Sequence, residues 1–182
     1  MARKPDHRSK GRPAPALAPT LRLRIERALA ANDIAKAGEL AESAVRQGAA
    51  EPMLLNLAAW RREEARDYAG AHRLLQQALA LAPGDVLVMG AIGAVLRKEG
   101  RPEEGLAMLD RAVTLEPRHA SAWLERGYVL DDLRSPAAAG ESYRRALSID
   151  PDLAPALAKL ADAAARDGRV EEGKDLAARA LT

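Results

Sequence analysis

The run AWLERGYVLDDL, residues 122–133, gathers an indole, a phenol and two adjacent carboxylates: Trp123, Tyr128, Asp131 and Asp132. Paired carboxylates beside a phenol are groups that general acid–base catalysis or a metal site would use. Other fragments suggest other chemistries. Gly90 and Gly93 in VMGAIGAV could belong to a phosphate-cradling turn. The three histidines, His7, His72 and His119, have no Asp or Glu recurring beside them at ligand spacing, so they support no metal site. The chain contains neither G-x-S-x-G nor G-x-x-x-x-G-K-[ST], and with no cysteine it has no thiol nucleophile. Whether the aspartate pair is chemistry or architecture depends on the elements that carry it.

Those elements are helices. Of 182 residues 48% are hydrophobic and 30% charged, which suits a folded chain, and strand formers are scarce: 7 Val, 4 Ile, 3 Thr and no Phe. The longest apolar run, residues 86–96, is shorter than the ~18 residues that span a bilayer, so no membrane partner is expected. Residues 1–17 carry Arg3, Lys4, Arg8, Lys10 and Arg12 against Asp6, leaving 23 basic and 25 acidic residues for the remainder. Prolines interrupt the apolar part of this tail, so it lacks the continuous core of a secretory signal. It reads as a disordered solubilising leader, with contact to phosphates or acidic surfaces as the alternative. The absence of cysteine fits a reducing compartment, and the expected location is cytoplasmic.

A repeat organises the rest. Pro83, Pro117 and Pro151 are 34 residues apart and end the similar stretches QQALALAP, DRAVTLEP and RRALSIDP. Placing each proline at position 32 defines units 18–51, 52–85, 86–119, 120–153 and a partial 154–182. The fourth unit has Trp123, Gly127, Ala139, Tyr143, Ala146 and Pro151 at positions 4, 8, 20, 24, 27 and 32. The third has Met89, Gly93, Gly105, Leu109, Ala112 and Pro117, and the second Leu55, Ala59, Ala71, Leu75, Ala78 and Pro83. This pattern resembles the tetratricopeptide repeat family over residues 18–182. The first unit departs from it, with Ile25 at position 8 and Ala49 where the proline belongs.

The resemblance implies an all-α fold, a right-handed α-solenoid of about five antiparallel helix pairs. The pattern is also physically sensible: small residues at 8 and 20 let two helices approach, and bulky ones at 4 and 24 fill the space around them. Gly100 and Gly168 fall at turns that need a left-handed residue, and Pro102 and Pro136 suit the first turn of a helix. Gly93 thereby becomes a packing residue. The fifth unit reaches Thr182 without a polar capping helix, which suggests either a longer native chain or self-association covering Leu176 and Leu181.

In the family, function resides on the concave face, lined by positions 2, 5, 6, 9, 12 and 13 of each first helix, and helical spacing makes these one stripe. This selects Met53, Asn56, Leu57 and Trp60 from the second unit. The third contributes Leu87, Gly90, Ala91, Ala94, Arg97 and Lys98, and the fourth Tyr128. Trp60 and Tyr128 flank Ala94 in the position-9 column, as walls of an apolar slot with a low floor. The slot suits an apolar side chain of a bound peptide or helix; otherwise the aromatics cover neighbouring helices or a further part of the chain fills the groove. Positions 12 and 13 alternate in sign, Glu63–Glu64, Arg97–Lys98, Asp131–Asp132, as expected of ion pairs between units.

The register therefore points to a protein-binding scaffold with no catalytic residue, cofactor or metal. The competing reading is a targeting or oligomerising arm of a larger enzyme, since bacterial-type sulfotransferases and aspartyl or asparaginyl hydroxylases carry similar arrays. Nucleic acid is disfavoured because the array lacks interleaved basic and aromatic residues, and no window offers the Lys/Asn pattern of a chaperone-type carboxylate clamp.

Overall fold

The structure, a computed structural model, describes residues 18–181; the basic segment 1–17 and Thr182 lie outside the described residues. Those residues form ten helices and no strand: α1 (Pro19–Ala30), α2 (Ile34–Arg46), α3 (Pro52–Glu64), α4 (Tyr68–Leu81), α5 (Val86–Lys98), α6 (Pro102–Leu115), α7 (Ala120–Asp132), α8 (Pro136–Ile149), α9 (Ala154–Arg166) and α10 (Val170–Arg179). Consecutive helices pair as antiparallel hairpins, and each hairpin's second helix packs on the first helix of the next. This arrangement is an α-solenoid, because a single hairpin cannot bury both of its apolar faces.

Each hairpin turns in the same way. Position 15 is left-handed in all five, as Asn32, Arg66, Gly100, Arg134 and Gly168, with φ between 53° and 78°. The next residue's N–H returns to a carbonyl five residues back, as in Asp33 to Ala28 at 2.8 Å and Arg101 to Leu96 at 2.9 Å. That bond closes the end of the first helix. Asp33 and Asp67 then cap the second helix by accepting from Lys36 N–H and Gly70 N–H. Where the first unit lacks its proline, Gly48 makes the turn with φ 96°, and Ala49 is buried against Leu54.

Close approach within a hairpin rests on the small residues. A Cβ on Gly93 would sit 2.5 Å from Leu109 Cγ, and one on Gly105 would be 2.9 Å from the Gly93 carbonyl oxygen. At Gly127 it would collide with the Tyr143 ring. The cores follow: Leu55, Leu75, Val88, Ile92 and Leu96 between the second and third units, and Leu124, Leu130, Tyr143 and Ala156 between the fourth and fifth.

Helix α5, apolar all round in sequence, is central. Val86, Val88, Met89, Ile92, Val95 and Leu96 are buried, because α4, α6 and α7 all pack on it. What α5 leaves to solvent is Leu87, a strip of small residues and, at its C-terminal end, Arg97 and Lys98.

Candidate protein-binding groove

The first helices α1, α3, α5, α7 and α9 carry the stripe that the sequence nominates. Met53 and Leu87 stand out at the N-terminal ends of α3 and α5, 39% and 60% exposed, and Leu23 on α1 is 46% exposed. Between them Asn56, Leu57 and Trp60 are half-buried, with Leu57 leaning on the core of the first unit. Trp60 makes no hydrogen bond or ring contact among the described residues. Gly90, Ala91 and Ala94 are half-buried too, and a Cβ on Gly90 would meet nothing within 4 Å, so the space over that position is open. α3 touches α5 only lightly, whereas α5 packs firmly on α7.

Tyr128 sits in different surroundings. The Arg97 guanidinium lies 5.6 Å from its ring centroid and Lys159 Nζ 5.3 Å, while Tyr143 meets it edge-on at 5.9 Å. Two cations and a ring already occupy it. The slot thus has one aromatic wall open, Trp60, and one covered by charge. Burial, together with the nearby Glu125 carboxylate, pushes the Tyr128 phenol above its ordinary range.

The charged part of the stripe is a ladder across units. Lys98 pairs with Glu63, Arg97 with Asp132 at 3.2 Å, and Lys159 with Asp131 at 3.0 Å. The same Asp131 oxygen accepts the Tyr143 O–H at 2.7 Å. The aspartate pair that looked catalytic is therefore engaged in holding α5, α7, α8 and α9 together. Trp123, its neighbour in sequence, donates its indole N–H to the Pro117 carbonyl at 2.9 Å and lies under Arg126 at 5.7 Å. Arg126 also reaches Asp110 at 2.7 Å and Ser142 at 2.8 Å, which satisfies that fully buried hydroxyl.

Position 6 supplies two residues that reading the position-9 column overlooks, Glu125 and Lys159. Both were readable in register as charges inside an otherwise apolar column of Leu23, Leu57 and Ala91. Glu125 Oε2 is buried with no hydrogen-bond partner. Burial raises its carboxyl, Arg97 and Lys98 pull it back, and Glu63 adds to the rise.

An α-solenoid with an apolar and charged concave stripe is the architecture of a protein-interaction scaffold. Residues 91–154 match the tetratricopeptide repeat family. The curated proteins offer no sequence match. Among solved structures, TTC0263, a thermophilic TPR protein of Thermus thermophilus, superposes with TM-score 0.73 at 24% identity, covering 88% of each chain. A MamA chain of Desulfovibrio magneticus RS-1 gives TM-score 0.66 at 20% identity over 91% of this chain and 96% of its own. A further MamA structure gives 0.64 at 18% over 86% and 92%. At such identities these likenesses speak to the fold. Residues 91–154 are tetratricopeptide repeats, and the described residues as a whole take the fold of such arrays.

Proposed function

We propose that this array is a non-catalytic, cytoplasmic scaffold that holds an apolar segment of a partner protein against α1, α3 and α5. One observation carries the reading: Leu23, Met53 and Leu87, all large and exposed, share the first-helix stripe with the half-buried Trp60, and a Cβ on Gly90 in that stripe would meet nothing within 4 Å. Exposed apolar side chains gathered around an aromatic are the composition of an interface centre, where a few anchors supply most of the affinity. An amphipathic helix or an extended peptide seating leucine-like side chains fits such a surface. Arg97 and Lys98 act as the edge of this seat, their charges already met by Asp132 and Glu63, and Tyr128 closes its far side.

The test uses a fluorescent peptide of about five helical turns with leucine at helical spacing and glutamine elsewhere, followed by anisotropy. Trp60→Ala is expected to weaken binding about tenfold or more, roughly 1.4 kcal/mol, with circular dichroism unchanged. Leu87→Ser should weaken it as well, and Glu103→Gln on α6 should not. Unchanged affinity in Trp60→Ala would overturn the reading.

A further inference from the structure

The charge balance of the groove is unequal. Its stripe holds the cations Arg22, Arg97, Lys98, Lys159 and Arg166. Four are taken: Arg22 grips Glu51 at 2.7 Å, Arg97 Asp132, Lys98 Glu63 and Lys159 Asp131. Arg166 turns its Nε toward the Asp162 backbone carbonyl. The carboxylates are not used up. Glu26, Glu64 and Asp162 are exposed and form no side-chain ion pair among the described residues, and Glu125 has its buried, unpartnered oxygen.

Glu125 is central among them. It lies on α7, which packs on α5, close enough to feel the charges of Arg97, Lys98 and Glu63. Glu63 follows Trp60 by one helical turn on α3, so the apolar seat and this carboxylate belong to one surface. A buried acceptor without a donor is costly; Arg97 donates from Nη1 to Asp132 and lies over the Tyr128 ring, and its own Nε, likewise buried and without a partner, does not bond to Glu125. Glu125 as a whole is only half-buried, so part of its side chain faces solvent.

Building on the scaffold reading, we infer that the groove selects a cationic amphipathic segment, its apolar residues on Trp60, Leu87 and Met53 and a lysine or arginine meeting Glu125. Glu64 and Asp162 flank the path of such a segment on either side and add attraction that salt screens. An acidic segment meets the surplus carboxylates and is repelled, so the specificity arises as much from rejection as from attraction.

Three labelled peptides of one leucine pattern, with lysine, glutamine or glutamate at the remaining positions, test this on the full chain. The lysine peptide is expected to bind about tenfold or more tighter than the glutamate peptide at low salt. Glu125→Gln should shrink that ratio at least about threefold, Asp162→Asn should shrink it less, and Glu103→Gln should leave it alone. Equal affinity for all three peptides, with Trp60→Ala still damaging, overturns the charge rule and leaves the groove reading standing. A lysine preference indifferent to both Trp60→Ala and Glu125→Gln is surface attraction and overturns both, as does failure of every peptide to bind. If replacing Arg3, Lys4, Arg8, Lys10 and Arg12 by glutamine raises the lysine peptide's affinity about tenfold, the chain's own basic segment is the occupant and the separate partner falls.

Discussion

Asp131 looks catalytic in the sequence and is a tether in the fold, because one oxygen holds both the Tyr143 hydroxyl and the Lys159 ammonium. Burial and that carboxylate together raise the Tyr143 phenol, so it stays a donor at any ordinary pH. Glu125 is the converse case, a carboxylate whose surroundings suit its charge poorly. Its folded carboxyl is raised, so the folded chain holds the proton more tightly than the unfolded one. The favourable contribution is complete below the ordinary glutamate range and is lost as pH rises through the raised value. Glu125→Gln is therefore expected to raise Tm near neutral pH, and the gain should disappear in acid below the ordinary range; thermal melts across that span check it. A variant that gains stability while losing its preference for a cationic peptide would mark Glu125 as a residue kept at a cost to stability.

At the scale of the element, the hairpin is fixed by a left-handed turn and by contact of small against large. Arg66 and Arg134 adopt φ of 58° and 56° where other units have glycine or asparagine. A branched or long side chain there costs about 1–2 kcal/mol, partly offset by the entropy that glycine loses on folding. Arg134→Gly should therefore stabilise the array by about 0.5–1 kcal/mol in chemical denaturation. Arg66→Gly should gain a similar amount, since the Arg66 side chain forms no ion pair among the described residues. The opposite result is expected inside the hairpin. Gly127→Ala pushes a methyl into the Tyr143 ring and should cost about 1–3 kcal/mol, while Gly90→Ala enters open space and should leave stability unchanged or slightly improved, since alanine is the better helix former.

For the whole molecule, stability should be graded along the solenoid. α5 buries seven residues and packs on three helices, whereas α10 buries only Gly173. Neighbour coupling sums along such an array, so amide hydrogen exchange is expected to be slowest in α5 to α7 and fastest in α10. Uniform protection across the ten helices would contradict this. The stripe is graded as well, its exposed large apolar residues Leu23, Met53 and Leu87 all lying on α1, α3 and α5.

Spacing alone carried much of this. Prolines 34 residues apart, small residues at positions 8 and 20 and bulky ones at 4 and 24 determined the helix pairs, because helical periodicity is a local property that a one-dimensional string records, while the choice of stripe positions came from the family resemblance. The alternation of signs at positions 12 and 13 likewise announced ion pairs between units. Only the tertiary structure decided which partners those charges took and which were left over. Tyr128 shares Trp60's column, yet two cations cover it; Glu125 was one charge among 26 acidic residues until burial removed its water and packing withheld a donor. Those outcomes depend on the distances between helices from different units, and such distances follow from the curvature of the stack and not from any one repeat.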